Sequence, residues 1–173
     1  MSRTISLSSA KVEKRIALDK NRILKKFAED FDNNKIYSFF PEDNLLKSYF
    51  CIVGPKNTPY FGGYYFFYVE FPRGDKKLPN GEMELPYPLA PMKITFMTQH
   101  TSNMRLHPNF YANGKVCLSS IGTWGTNDWT PERSLASEML TIHARFDEFP
   151  LRYEPSFNEA TDEQCIPYNI TLI

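Results

Sequence analysis

The chain has 173 residues, with 20 basic side chains against 20 acidic ones, so its formal net charge is zero. Hydrophobic residues make up 42% and aromatic residues 15%, enough for one domain with a substantial core. A neutral body argues against nucleic-acid binding and membrane association, and no apolar run approaches the roughly 20 residues of a membrane helix.

The charge is uneven. Lys11, Lys14, Arg15, Lys20, Arg22, Lys25 and Lys26 crowd the first stretch, whereas Asp147, Glu148, Glu154, Glu159, Asp162 and Glu163 dominate the last. Cys51, Cys117 and Cys165 are odd in number and widely spaced, without a C-x-x-C. That pattern argues against a disulfide framework or a zinc site and suits reduced thiols in the cytoplasm or nucleus. The start Met-Ser-Arg-Thr-Ile has no apolar signal-peptide core.

Residues 1–9 read as a flexible tail. From Lys11, the apolar positions Val12, Ile16, Ile23, Phe27 and Phe31 recur at helical spacing, predicting an amphipathic helix to about Asp30 with a basic outer face. Asp32-Asn33-Asn34 stops it. Strands are expected over Ile36–Phe40, Leu46–Val53, Tyr64–Phe71 and Lys93–Thr98, with Ile94 and Phe96 sharing a face. Cys51, between Phe50 and Ile52, reads as a buried structural thiol, and the Tyr64–Phe71 aromatic run as core. Gly54 to Pro59 is a turn, and the polar run Arg73–Leu85 is a surface loop.

His107-Pro108-Asn109 is a stiff tripeptide in a stretch without long regular structure, and Cys117 follows on a short apolar run. Two glycines and two tryptophans shape the loop from Ser119 to Pro131. Leu135, Met139, Ile142, Phe146 and Phe149 then make an apolar stripe, predicting a second helix from Ser134 to just before Pro150. Beyond it the chain reads as irregular, with at most a short helical piece near Glu159–Ile166. The fold class expected is α+β: an N-terminal helix, a four-stranded antiparallel meander, a central helix and a short irregular or helical tail.

Four landmarks in order carry a resemblance to the ubiquitin-conjugating enzymes over roughly residues 10–157. They are Asn57-Thr58-Pro59-Tyr60-Phe61-Gly62-Gly63; Phe71-Pro72 with Tyr87-Pro88-x-x-Pro91; Thr98, His107-Pro108-Asn109 and Cys117-Leu118; and Trp129-Thr130-Pro131 before a helix. The resemblance implies the same α+β fold and a cis peptide at Tyr87-Pro88. The chain departs from the family in three places. The loop after Cys117 is longer, its Gly122-Thr123-Trp124 resembling a branch of large members. Arg73–Leu85 is an insert. Residues 158–173 read as the start of further helices of a longer protein, cut short.

The resemblance implies that Cys117 is a nucleophile carrying ubiquitin or a ubiquitin-like protein as a thioester, passed on to a lysine or a ligase cysteine. Exchange between thioesters is nearly balanced in energy, so an ordinary thiol suffices. Asn109 is implied as an oxyanion donor, and it reads equally as a turn-bracing asparagine. His107 and Pro108 are implied as structural. Glu154 loosely matches an acidic residue that positions the acceptor lysine, and it also reads as an ordinary solvated glutamate. Ser119 and Leu106 stand where the family often has Asp and an aromatic.

The implied partners are ubiquitin or its relatives, an activating enzyme and a ligase, with Lys11, Lys14, Arg15, Leu89 and Pro131 at contact positions. No metal or bound cofactor is expected, ATP being used upstream by the activating enzyme. Two competing classes are a catalytically inactive scaffold of the same fold and a cysteine hydrolase. The hydrolase would need His100, His107 or His143 as a base, and neither His107 nor His143 has an evident orienting partner.

Overall fold

The computed structural model describes residues 8–29, 35–98 and 105–172. The expected N-terminal tail up to residue 7, the helix stop at Asp32–Asn34, and His100 lie outside these residues. Helix α1 spans Ser9–Glu29. Its buried stripe is Val12, Ile16, Ile23 and Phe27, joined on the same face by Asp19 and Lys20. Lys20 survives there because its stem packs along apolar surface: Nζ sits 5.0 Å over the Phe40 ring and donates to the Lys47 carbonyl at 3.2 Å. Burial holds its ammonium below the usual lysine pKa.

Four strands follow: β1 Ile36–Phe39, β2 Lys47–Val53, β3 Tyr64–Glu70 and β4 Lys93–Phe96. They form one antiparallel sheet in chain order, with Phe50 opposite Phe67 and Phe67 opposite Phe96. The period-two pleat sends Ile36, Phe50, Ile52, Phe67, Val69, Ile94 and Phe96 to the core. The same alternation corrects two expectations. Cys51 points to the other face from Phe50 and Ile52 and is only half-buried. In the aromatic run, Tyr65, Phe67 and Phe71 are core, whereas Tyr64 and Phe66 are exposed.

Helix α2 spans Leu135–His143 and starts on Ser134, whose hydroxyl accepts the Ser137 N–H while the Ser137 hydroxyl accepts the Ser134 N–H. It is shorter than its apolar stripe. The Asp147 side chain captures the Phe149 N–H at 2.9 Å, and the chain tightens into turns with Phe146 N donating to His143 O. A local side-chain bond of this kind competes with helix continuation. Phe146 stays buried at the hub of the core, its ring within 5.0–5.3 Å of Tyr60 and Phe110.

Short 3-10 turns at Pro150–Tyr153 and Pro155–Phe157 lead to helix α3, Asp162–Leu172. This helix runs well past the expected piece, continuing through Pro167 to Leu172. Thr161 and Gln164 form a reciprocal cap at its start, and Asp162 and Glu163 place negative charge at the positive end of the helix dipole. Arg152 pins it further by donating to Ala160 O at 2.9 Å and Asp162 Oδ1 at 2.6 Å. Within this helix Cys165 is fully buried. The Tyr87-Pro88 peptide is cis.

Truncating the hub should be costly. Phe146→Ala is expected to lower unfolding free energy by about 3–5 kcal/mol, read as a lower urea midpoint with an unchanged slope.

Candidate active site

After β4 the chain returns as a hairpin-like loop held by isolated bridges, Thr95 to Lys115, His107 to Phe110 and Phe110 to Val116. Phe110 anchors it, wholly buried against Phe67 and Phe96 at 5.4 and 5.3 Å between ring centres. Gly114 makes the turn at φ +87°, where a Cβ would meet Thr95 Cγ2 at 2.9 Å. The two arms are thereby set side by side, with Asn109 facing Cys117.

His107 is fully buried among aromatic rings, with Phe110 at 4.6 Å and Tyr153 at 5.4 Å between centres. The Asn109 N–H donates to its Nδ1 at 2.9 Å, which makes Nδ1 an acceptor and puts the proton on Nε2. Nε2 accordingly donates to the Arg145 carbonyl at 2.8 Å. Burial, opposed by that carbonyl, pushes the imidazole pKa down to about 3. The ring is a neutral strut with both nitrogens engaged, and it has no atom free to act as a base. His143, the other described histidine, is also held below its usual pKa by burial.

Asn109 and Cys117 bond reciprocally. The Cys117 N–H donates to Asn109 O at 2.8 Å, and Asn109 Nδ2 donates to the Cys117 carbonyl at 3.0 Å. The side-chain amide is thus engaged in bracing the loop. Asn109 Oδ1 is buried without a partner among the described residues. Cys117 is 2% exposed. It lines a small cleft with Pro108, Asn109, Trp124, Tyr153 and Glu154.

The loop beyond Cys117 folds back on itself. Leu118 N–H donates to Thr123 Oγ1, and the Thr123 N–H donates to Leu118 O. Gly122 takes φ +67° and donates to Ser119 O. The loop is fastened to α2 through buried Glu138, whose oxygens accept from the Ser120 hydroxyl at 2.6 Å and Arg133 Nη1 at 3.0 Å. This leaves Trp124 half exposed at the cleft.

Glu154 also lines the cleft, from the junction of the 3-10 turns after α2. It pairs with Arg105 at 3.3 Å. Next to it, the Tyr153 hydroxyl donates to Asp147 Oδ2 at 2.6 Å, and burial chiefly raises its pKa to about 12. Burial chiefly raises the Tyr168 hydroxyl of α3 to a pKa of about 12, with the Arg105 charge opposing and the Glu154 charge adding to it. Arg105 and Tyr153 escaped the sequence reading, because nothing in their local pattern marks a place beside Cys117, and Trp124 was read only as part of the longer loop.

The expected contact residues fall into two groups. Lys11 and Lys14 are exposed on α1, with Pro131 exposed and Leu89 half-buried. Arg15 is instead turned inward: its guanidinium donates to Pro131 O at 2.7 Å and Arg133 O at 2.6 Å, and pairs with buried Asp19 at 3.0 Å. The Tyr87 hydroxyl also donates to Asp19. Trp129 Nε1 donates to Pro88 O at 2.9 Å, joining the Pro131 loop to the Leu89 segment. Among the described residues, no helix is long and apolar enough to cross a membrane, and no group of three or more His, Cys, Asp or Glu could hold a metal.

Residues 18–165 match the family model described as "Ubiquitin-conjugating enzyme". The chain is 38% identical over 119 residues to "Ubiquitin-conjugating enzyme E2 Z" of Xenopus tropicalis, covering 69% of this chain and 34% of that protein. It is 36% identical over 116 residues to the Homo sapiens protein of that name, covering 67% and 29%. Over 149 residues it is 32% identical to "Probable ubiquitin-conjugating enzyme protein 17" of Caenorhabditis elegans, covering 81% and 19%. The chain thus spans about a third or less of the length of these curated relatives. The solved structure of human Ubiquitin-conjugating enzyme E2 G1 superposes with a TM-score of 0.56 at 24% identity. It covers 78% of this chain and 95% of that one, a likeness of fold.

The buried imidazole predicts an acid sensitivity. Its folded pKa lies below the unfolded value of 6.5, so its contribution is complete above 6.5 and is lost as pH falls toward 3. Across that window stability should fall by up to about 1.4 kcal/mol per pH unit from this residue. Urea unfolding of His107→Gln across the same pH range should show a shallower slope than the parent protein, with the His143 contribution remaining.

Proposed function

The chain belongs to the ubiquitin-conjugating enzyme family, and from that premise we propose that it carries ubiquitin or a ubiquitin-like protein as a thioester on Cys117 and passes it to a lysine or a ligase cysteine. The observation that carries this reading is the reciprocal Asn109–Cys117 pair at a narrow cleft that Glu154 also lines. A nearly buried thiol in a narrow cleft suits attack on the extended end of a chain.

In loading, the Cys117 thiolate attacks the thioester on the activating enzyme, and that enzyme's thiolate leaves. This exchange needs no imidazole base, consistent with the full engagement of His107. In transfer, a lysine amine attacks the Cys117 thioester and a carbonyl oxyanion develops. Asn109 Nδ2 is a side-chain donor beside Cys117, and reaching the oxyanion requires it to leave the Cys117 carbonyl. Glu154 is the carboxylate available to hold the incoming ammonium. The partners proposed are an activating enzyme and a ligase, approaching through Lys11, Lys14, Leu89 and Pro131. Arg15 shapes that surface from beneath. The chain would bind no cofactor of its own, ATP being used upstream, and would act in the cytoplasm or nucleus.

Incubation with ATP, activating enzyme and ubiquitin should give an adduct that thiol cleaves. The adduct should be lost in Cys117→Ala and become thiol-resistant in Cys117→Ser. No adduct with ubiquitin or any ubiquitin-like protein would leave the inactive scaffold as the reading. Asn109→Ala should still load, while transfer to lysine slows by roughly 100-fold; equal loss in both steps would assign Asn109 to bracing alone.

A further inference from the structure

The carboxylate on the wall of the Cys117 cleft already has a cation. Arg105 Nη2 lies 3.3 Å from Glu154 Oε2, and the two side chains are 39% and 33% exposed, so water and an acceptor can reach both. Arg105 is steadied from two more directions. Its guanidinium lies 4.8 Å over the Tyr111 ring, and Nη1 makes a long 3.5 Å donation to Pro108 O. Tyr111, Pro108 and Glu154 all line the cleft that holds Cys117. A lysine approaching the thioester therefore meets a carboxylate whose charge is compensated, beside a guanidinium that repels it. It must either strip Arg105 of its partner or bring a partner for it.

We infer that the Arg105–Glu154 pair selects acceptor lysines flanked by an acidic side chain, through an exchange of ion-pair partners. The acceptor's carboxylate takes Arg105, and Glu154 turns to the acceptor's ammonium. Two pairs form from one pair and an incoming complementary pair, and no charge is left alone. A lysine in neutral surroundings leaves the guanidinium without its carboxylate, and discrimination comes from that repulsive element as much as from the new contact. Arginine suits the role because its planar fork binds a carboxylate through two donors while its face stacks on Tyr111.

This inference rests on the thioester reading of Cys117. The transfer it gates is balanced. The ammonium first gives one proton to water, and the amine nitrogen forms a C–N bond to the thioester carbonyl. The C–S bond breaks, sulfur leaves as the Cys117 thiolate, and the second nitrogen proton passes to solvent or to that thiolate.

The test uses two isomeric peptides, Gly-Gly-Gly-Glu-Lys-Glu-Gly-Gly-Gly and Glu-Gly-Gly-Gly-Lys-Gly-Gly-Gly-Glu, both N-acetylated and identical in charge and composition. Ubiquitin is loaded on Cys117, loading is stopped, and discharge is followed per molecule of charged protein. The parent protein should discharge onto the flanked peptide about three- to fivefold faster, the scale an exposed ion pair supports. Arg105→Gln should bring the two rates together, Arg105→Lys should keep most of the preference, and added salt should erode it. Equal rates in the parent protein overturn the inference. So does a preference that survives Arg105→Gln, including the case where that variant slows both peptides by one factor, the mark of a merely structural side chain. Failure to load ubiquitin or any ubiquitin-like protein would instead remove the reading of Cys117 on which the inference rests.

Discussion

The imidazole of His107 bridges the Asn109 N–H to the carbonyl of Arg145, a residue 38 positions beyond the histidine, and the active site depends on that bridge. One nitrogen receives the Asn109 N–H, while the other donates to the Arg145 carbonyl in the turn after α2. A ring buried this deeply is tolerated because both polar atoms are satisfied and the charged form is suppressed. Arg145 lies one residue from Phe146, the aromatic hub, and eight before Tyr153, which stacks on the same imidazole. The strut therefore holds the Asn109–Cys117 arm against the segment that carries Glu154. Two walls of the cleft are set by one side chain.

A second brace orients the other end. Arg15 crosses from α1 to the carbonyls of Pro131 and Arg133, while Asp19 and Tyr87 secure it from below. Glu138 plays the matching part for the loop after Cys117, gathering Ser120 and Arg133 at its two oxygens. Both carboxylates are completely buried and both are served by an arginine. Loops of irregular backbone acquire a defined shape because charged side chains reach into the body and tie down carbonyls and hydroxyls. Recognition surfaces can then sit on loops without being slack.

Periodicity made most elements legible. The stripe Val12, Ile16, Ile23 and Phe27 and the alternation through β2 and β4 have only one way to bury their apolar side. Cys51 was misplaced by neighbour identity, since the pleat sends adjacent residues to opposite faces. The α2 stripe continued past the helix because apolar spacing does not register a competing Asx bond at Asp147. The tail read as irregular beyond a short piece near Glu159–Ile166, whereas α3 runs to Leu172 from a reciprocal Thr161–Gln164 cap. At the site, Cys117, Asn109, His107 and Glu154 were legible as residue types in a motif. Their bonding was not.

By itself the sequence determined the strands and the first two helices in outline, which residues carry the motif and which family supplies the fold. These follow from local spacing and from a motif confined to a few contiguous stretches. Tertiary structure alone decided what each site group bonds. His107 could have been a base or a strut, and burial with two bonded nitrogens made it a strut. Arg15 read as a surface cation, and contacts 116 and 118 residues away turned it inward. Glu154 read as a lone carboxylate, and Arg105, 49 residues earlier, compensates it. The physical reason is common to all three: the charge and proton of a polar group are set by its nearest partners in space, and here those partners are remote along the chain.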